Sequence, residues 1–150
     1  MRAGTMRSMR LIRADDLYDG VEYAYAAVAP PGSLVFTAGA CPLTEDGTTV
    51  EGGVRAQARQ CMANLVTALA AAGAALDDVL KTTVYVASTE RADLVAAWAE
   101  IRTAFGDHDP PSTLLGVTVL GYAGQRVEVE AVAAPASESP IDDTQVYSST

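Results

Sequence analysis

The stretch QRVEVEAVAAP, residues 125–135, limits most tightly what this chain can fold into. Side chains alternate across a β-strand, so Val127, Val129, Ala131 and Ala133 face one way while Arg126, Glu128 and Glu130 face the other. Such a strand has one packing face and one face bearing two carboxylates. Two readings of the polar face stand open at this point. It is either an ordinary solvated surface or a cleft wall on which Glu128 activates water or holds a substrate proton.

The remaining pattern supplies the layers. Residues 7–14 read as a short first strand, residues 23–28 as a second, and Pro30-Pro31-Gly32 as a tight turn. SLVFTA, residues 33–38, reads as a third strand, and Asp46-Gly47 marks a further turn. Val54, Ala58, Cys61, Leu65, Leu69 and Ala72 recur at steps of three and four, which predicts a helix over 54–72 stopped by Gly73. The β-branched run 81–87 predicts a strand with Val84 and Val86 on one face and Tyr85 on the other. Leu94, Trp98, Ile101 and Phe105 predict a second helix over 91–105, with Trp98 in the core. After a break at 107–111, strands are expected at 113–120 and 125–134. Six strands and two helices in this order are expected to make an α+β layer arrangement, one six-stranded mixed sheet with both helices on one face. The other face, carrying Glu128 and Glu130, is left for a symmetric partner.

Length and charge narrow the functional classes. A chain of 150 residues with 49% hydrophobic content fits one globular domain. Residues 1–9 are expected to be a tail, 10–135 the domain, and 136–150 a disordered acidic tail. No apolar run approaches the roughly 20 residues of a membrane helix, and the basic N-terminus lacks a signal-peptide core. Those features point to a cytoplasmic protein without membrane contact. Net charge is −9, from 10 Lys and Arg against 19 Asp and Glu, which opposes nucleic-acid binding. Cys41 and Cys61 lack CxxC spacing and are expected to be reduced thiols, Cys41 a small buried one with no visible base to activate it. His108, the single histidine, is expected to face solvent and cannot build a metal site alone, so no metal is expected. Gly116, Gly121 and Gly124 form no phosphate loop.

Several spaced segments are familiar. AQARQCMANLVTALAAAGAALDDVLKTTVYV (56–86), TAGACP (37–42) and EVEAVA (128–133) closely resemble the Rid family, the reactive intermediate/imine deaminases also called YjgF or L-PSP endoribonuclease-like. The resemblance covers roughly residues 10–134. It implies a chorismate-mutase-like fold and a barrel-like homotrimer with clefts between neighbouring subunits. It also implies hydrolysis of a small enamine or imine metabolite without metal or organic cofactor.

Position by position, the resemblance assigns Tyr25 to the cleft lining and Gly39 to a close backbone approach to ligand. It gives Glu128 the placing of water or movement of protons. Ala38 and Ala40 stand where the family's TSGQ motif has serine and glutamine. Thr113 stands where the family has the arginine that grips the substrate carboxylate, and Leu115 lies two residues further along the same strand as a further cleft residue. Losing a charge-assisted hydrogen bond costs roughly 1.5–3 kcal/mol, or about 10–150-fold in binding. A non-standard substrate preference is therefore expected. Arg126 is a possible substitute cation, with an ordinary ion pair the competing role. The alternatives to a hydrolase are a non-catalytic metabolite-binding or protein-interaction trimer and, third, an endoribonuclease, which the acid excess opposes.

Overall fold

The computed structural model describes residues 9–135. The tails expected at either end fall outside them, apart from Met9. Three short strands come first: β1 (Arg10–Ile12), β2 (Ala26–Val28) and β3 (Val35–Phe36). Helix α1 (Gly53–Ala71) follows, then a 3-10 turn (Leu76–Asp78), β4 (Val79–Ala87), α2 (Arg91–Phe105), β5 (Ser112–Val117) and β6 (Val127–Ala133).

The six strands do not form one sheet. β1 and β2 pair as an antiparallel ribbon, and the other four form a sheet in the order β3-β6-β4-β5. The reason lies at Pro30 and Pro31, which have no N–H to offer a ladder and separate β2 from β3. The ribbon is tied on by other means. Ala24 N–H donates to the Asp109 carbonyl at 2.9 Å, and Arg13 bonds both the Asp109 carboxylate and the Tyr23 carbonyl.

Within the main sheet, β4 and β5 are parallel and joined through α2, whereas β6 runs antiparallel to both β3 and β4. The pattern-based end of β5 at residue 120 overshoots. Val117 pairs with Ala87, the last residue of β4, so residues beyond it have no ladder partner.

Both helices lie on one face of this sheet. Leu65 and Leu69 from α1 and Ile101 from α2 are fully buried against Val79, Val84, Val86, Val127 and Val129. Each such aliphatic side chain contributes about 1.5–3 kcal/mol by leaving water. β6 alternates buried and half-buried along its whole length, as its sequence requires. The helix stripe also includes Met62 and the polar Gln57. Helix α1 ends as expected, with Gly73 at φ 79° and its N–H on the Ala70 carbonyl.

Two expectations need correcting. Trp98 packs only at the edge of the core, its indole N–H donating to Glu22 at 3.2 Å beside the Tyr23 ring. A ring with a polar edge settles where that edge finds an acceptor. His108 is half-buried, and its Nε2 lies 2.7 Å from the Val79 carbonyl next to Phe105. A carbonyl only accepts, so the ring donates there and staples the loop to the start of β4.

Candidate functional site

The sheet face turned away from the helices carries alternate residues of β4, β5 and β6. Register arranges them in two rows across the strands. Leu115, Tyr85 and Glu128 make one row, and Thr113, Thr83 and Glu130 the next.

Glu128 is held by a short segment running beside β6. Thr37 N–H donates to the Ala131 carbonyl at 3.0 Å, and Ala40 exchanges two hydrogen bonds with Val129. Three steps on one strand thus match two on the other, a β-bulge of one residue at Ala38–Gly39. The bulge brings the Gly39 backbone onto the Glu128 side chain. A Cβ at residue 39 would fall 2.5 Å from Glu128 Cδ and 2.6 Å from Oε2. The glycine is required there because the carboxylate occupies the space a side chain would need.

The same turn presents Cys41. Its Sγ donates to Glu128 Oε1 at 3.0 Å, and Gln125 Nε2 donates to that oxygen at 3.4 Å. Cys41 is half-buried rather than enclosed, and a base does lie beside it. Burial, followed by the hydrogen bond and charge of Glu128, pushes its thiol up to about 11. It is therefore a proton donor to the carboxylate, not an activated nucleophile. Cys61, buried behind it in α1, is pushed up chiefly by burial. Tyr85 Oη donates to Glu130 at 2.7 Å, and this bond is the leading cause of its raised pKa.

Two polar residues of α1 fix the segments that carry this cluster. Asn64 Nδ2 donates to the carbonyls of Cys41 and Leu43 at 2.8 and 2.9 Å. Gln57, only 4% exposed, donates to the Gly124 carbonyl at 2.9 Å and accepts from Arg126 N–H at 2.6 Å. Sequence reasoning missed both, together with Gln125. The available signal was polarity on a helix face that otherwise buries apolar groups.

Of the other sequence-derived residues, Ala38, Ala40 and Leu115 lie near Glu128, whereas Tyr25 and Thr113 lie apart from it. Ala38 is exposed at the bulge, and Ala40 is half-buried beside β6. Tyr25 donates to the Tyr18 carbonyl at 2.5 Å, and its pKa is raised by burial and then by Tyr23. No hydrogen bond among the described residues links Tyr25 to Glu128. Thr113 accepts from Lys81 Nζ at 2.6 Å. It lies two strand spacings across and one same-face step along from Glu128, roughly 11–12 Å away. Leu115 is exposed in the Glu128 row. Arg126 is spent on Asp93 at 2.7 Å. An open groove of about 490 Å³ lined by Ser88, Arg91, Leu94 and Gly116 lies on the helix side of β5 and contains none of these residues. The buttressed Glu128 carboxylate lies on the opposite, open face of the sheet.

Known proteins resemble this chain over most of its length. A family model described as Endoribonuclease L-PSP matches residues 19–135. A 2-iminobutanoate/2-iminopropanoate deaminase of Salmonella typhimurium is 32% identical over 121 residues, covering 75% of this chain and 92% of the relative. The solved structure of the Rid-family protein YyfB from Yersinia pestis superposes with a TM-score of 0.79 at 30% identity, over 85% of this chain and 99% of that one. Escherichia coli TdcF with bound serine gives a TM-score of 0.61 at 27% identity, over 75% and 87% of the two chains. Among the described residues no helix is long and apolar enough to cross a membrane.

Proposed function

The chain belongs to the endoribonuclease L-PSP family, also called the Rid or YjgF family, and from that membership we propose that it is a hydrolase of a small imine or enamine metabolite. It works with water and its own side chains, in a cleft completed by a neighbouring copy in a homotrimer. The observation that carries the reading is the Glu128 carboxylate, oriented on the open sheet face by Cys41, Gln125 and the Gly39 backbone. A base must be held within hydrogen-bond reach of the proton it moves, and two donors on one oxygen hold this one.

In this mechanism Glu128 takes a proton from water as the oxygen bonds to the C=N carbon. It returns the proton to nitrogen to complete the carbinolamine, then carries the carbinolamine hydroxyl proton to the same nitrogen as the C–N bond breaks, releasing ammonia and leaving a carbonyl. Glu128 regains its starting state, and one water is the only co-reactant consumed. The separation of Thr113 from Glu128 supports a cleft between copies. The two backbones stand roughly 11–12 Å apart within a single chain, and facing copies can bring one copy's Thr113 row over another's Glu128 row. Deaminase relatives at about 30% identity support the reaction class. The excess of carboxylates argues against RNA as substrate.

The test is ammonia release from 2-iminopropanoate or 2-iminobutanoate generated in situ. Wild type should accelerate it, and Glu128→Gln should lose about 10²–10⁴-fold in rate while keeping its fold. An unchanged rate in Glu128→Gln removes the mechanism. A metabolite that raises Tm but is recovered unaltered makes the protein a binding trimer instead.

A further inference from the structure

Thr113 carries no charge, yet the position is not without one. Lys81, the single lysine of the chain, reaches across from β4 and places its Nζ 2.6 Å from Thr113 Oγ1. We infer that Lys81 is the anion anchor of the site: its ammonium, together with the Thr113 hydroxyl, holds the carboxylate of an anionic imine or enamine substrate. This inference rests on the hydrolase reading for the chemistry performed at Glu128, but the anion site stands on its own geometry.

Three observations lead there. Arg13, Arg55, Arg59, Arg102 and Arg126 are each engaged with an Asp or Glu. Lys81, Arg10 and Arg91 form no ion pair among the described residues, and of these three only Lys81 stands in the sheet that carries Glu128, Arg10 being in β1 and Arg91 at the start of α2. The nearest acidic neighbour of Lys81 by register is Glu130, one same-face step along the facing strand, but the lysine leans the opposite way, toward β5. Glu130 is instead bonded by Tyr85. Finally, an ammonium has three protons and spends one on Thr113, whose hydroxyl accepts that bond and keeps its own proton to give. The pair therefore offers two donors, 2.6 Å apart, to the two oxygens of one carboxylate.

The substitution also predicts a changed preference. A guanidinium grips a carboxylate as a planar fork, whereas an ammonium is a point charge on a flexible stem. A site built on Lys81 demands a negative charge but tolerates more orientations of the group that bears it.

Pyruvate and its neutral amide, pyruvamide, are the probes, with binding to the full-length protein followed by ligand-detected NMR. Wild type should bind pyruvate about tenfold or more tightly than pyruvamide. Lys81→Met should erase that preference, Lys81→Arg should keep it, and Thr113→Val should weaken pyruvate binding by a smaller factor. Lys81→Gln serves if the methionine variant does not fold. Equal binding of the two probes by wild type, or a preference that survives loss of the lysine, overturns the assignment. Turnover is scored separately. A lysine-dependent preference without imine hydrolysis upholds the anchor and removes the hydrolase reading. Hydrolysis with an unchanged KM in Lys81→Met does the reverse.

Discussion

Cys41 donates its thiol proton to Glu128 Oε1 across 3.0 Å, although 87 residues separate the two in the chain. Burial and this carboxylate together push the thiol up to about 11. Alkylation of Cys41 by iodoacetamide, resolved by peptide mass spectrometry, should be slow near neutral pH and climb steeply in alkali. Reaction at the rate of a free cysteine near neutral pH would contradict the assigned pairing. Glu128→Gln removes the secondary causes and should bring the thiol part of the way back down.

The same shift has a consequence for stability. Folding holds the protons of Cys41 and Cys61 more tightly than the unfolded chain does. Their contribution is whole below the ordinary thiol pKa of about 8.5 and is lost as pH rises through the folded value. Denaturant midpoints should therefore fall above that pH, and Cys41→Ser with Cys61→Ala should flatten the decline. An equally steep alkaline decline in the double variant would assign the loss to other groups.

Gly39→Ala should disturb Glu128 directly, because the added methyl would meet its carboxyl carbon. Overpacking of this kind costs about 1–3 kcal/mol, and turnover should fall along with stability. In Glu128→Ala the obstructing atoms are gone, so adding Gly39→Ala there should cost much less. A double-mutant cycle by urea unfolding measures the coupling. Simple additivity would mean that the bulge and the carboxylate do not constrain each other.

Gln57→Leu should be among the more damaging single changes in α1. It strands the Gly124 carbonyl and the Arg126 N–H at a site that is almost fully buried. Unsatisfied buried groups of this sort cost about 1–3 kcal/mol each, so a loss of about 2–4 kcal/mol is expected in urea unfolding. A loss below about 1 kcal/mol would show that water replaces the side chain.

Assembly is a separate prediction. Leu115 and Phe36 are exposed on the open face with Glu128, and Val119 is exposed just beyond the end of β5. Light scattering should give three times the 15.6 kDa chain mass. Leu115→Asp should shift the protein toward monomer and abolish turnover together with it. A wild-type monomer at micromolar concentration would remove both the trimer and the cleft.

The residues by themselves determined the layers. Alternation along 127–133 and the three-and-four spacing of Val54, Ala58, Cys61, Leu65 and Leu69 already separate a packed sheet face from an open one. Such periodicity is a property of one segment and needs no knowledge of its neighbours. Family membership was equally legible, because its motifs are local runs at 37–42, 56–86 and 128–133.

What surrounds Glu128 was decided only by the tertiary structure. The separation of β1 and β2 from the main sheet, the end of β5 at Val117, the Cys41 contact and the reach of Lys81 to Thr113 all depend on register between distant segments. Around Glu128 that register is fixed by a one-residue bulge and by the Gln57 and Asn64 amides, which tie down two loops. A one-residue slip exchanges the faces of a strand while leaving its own pattern unchanged, so no reading of a single segment detects it.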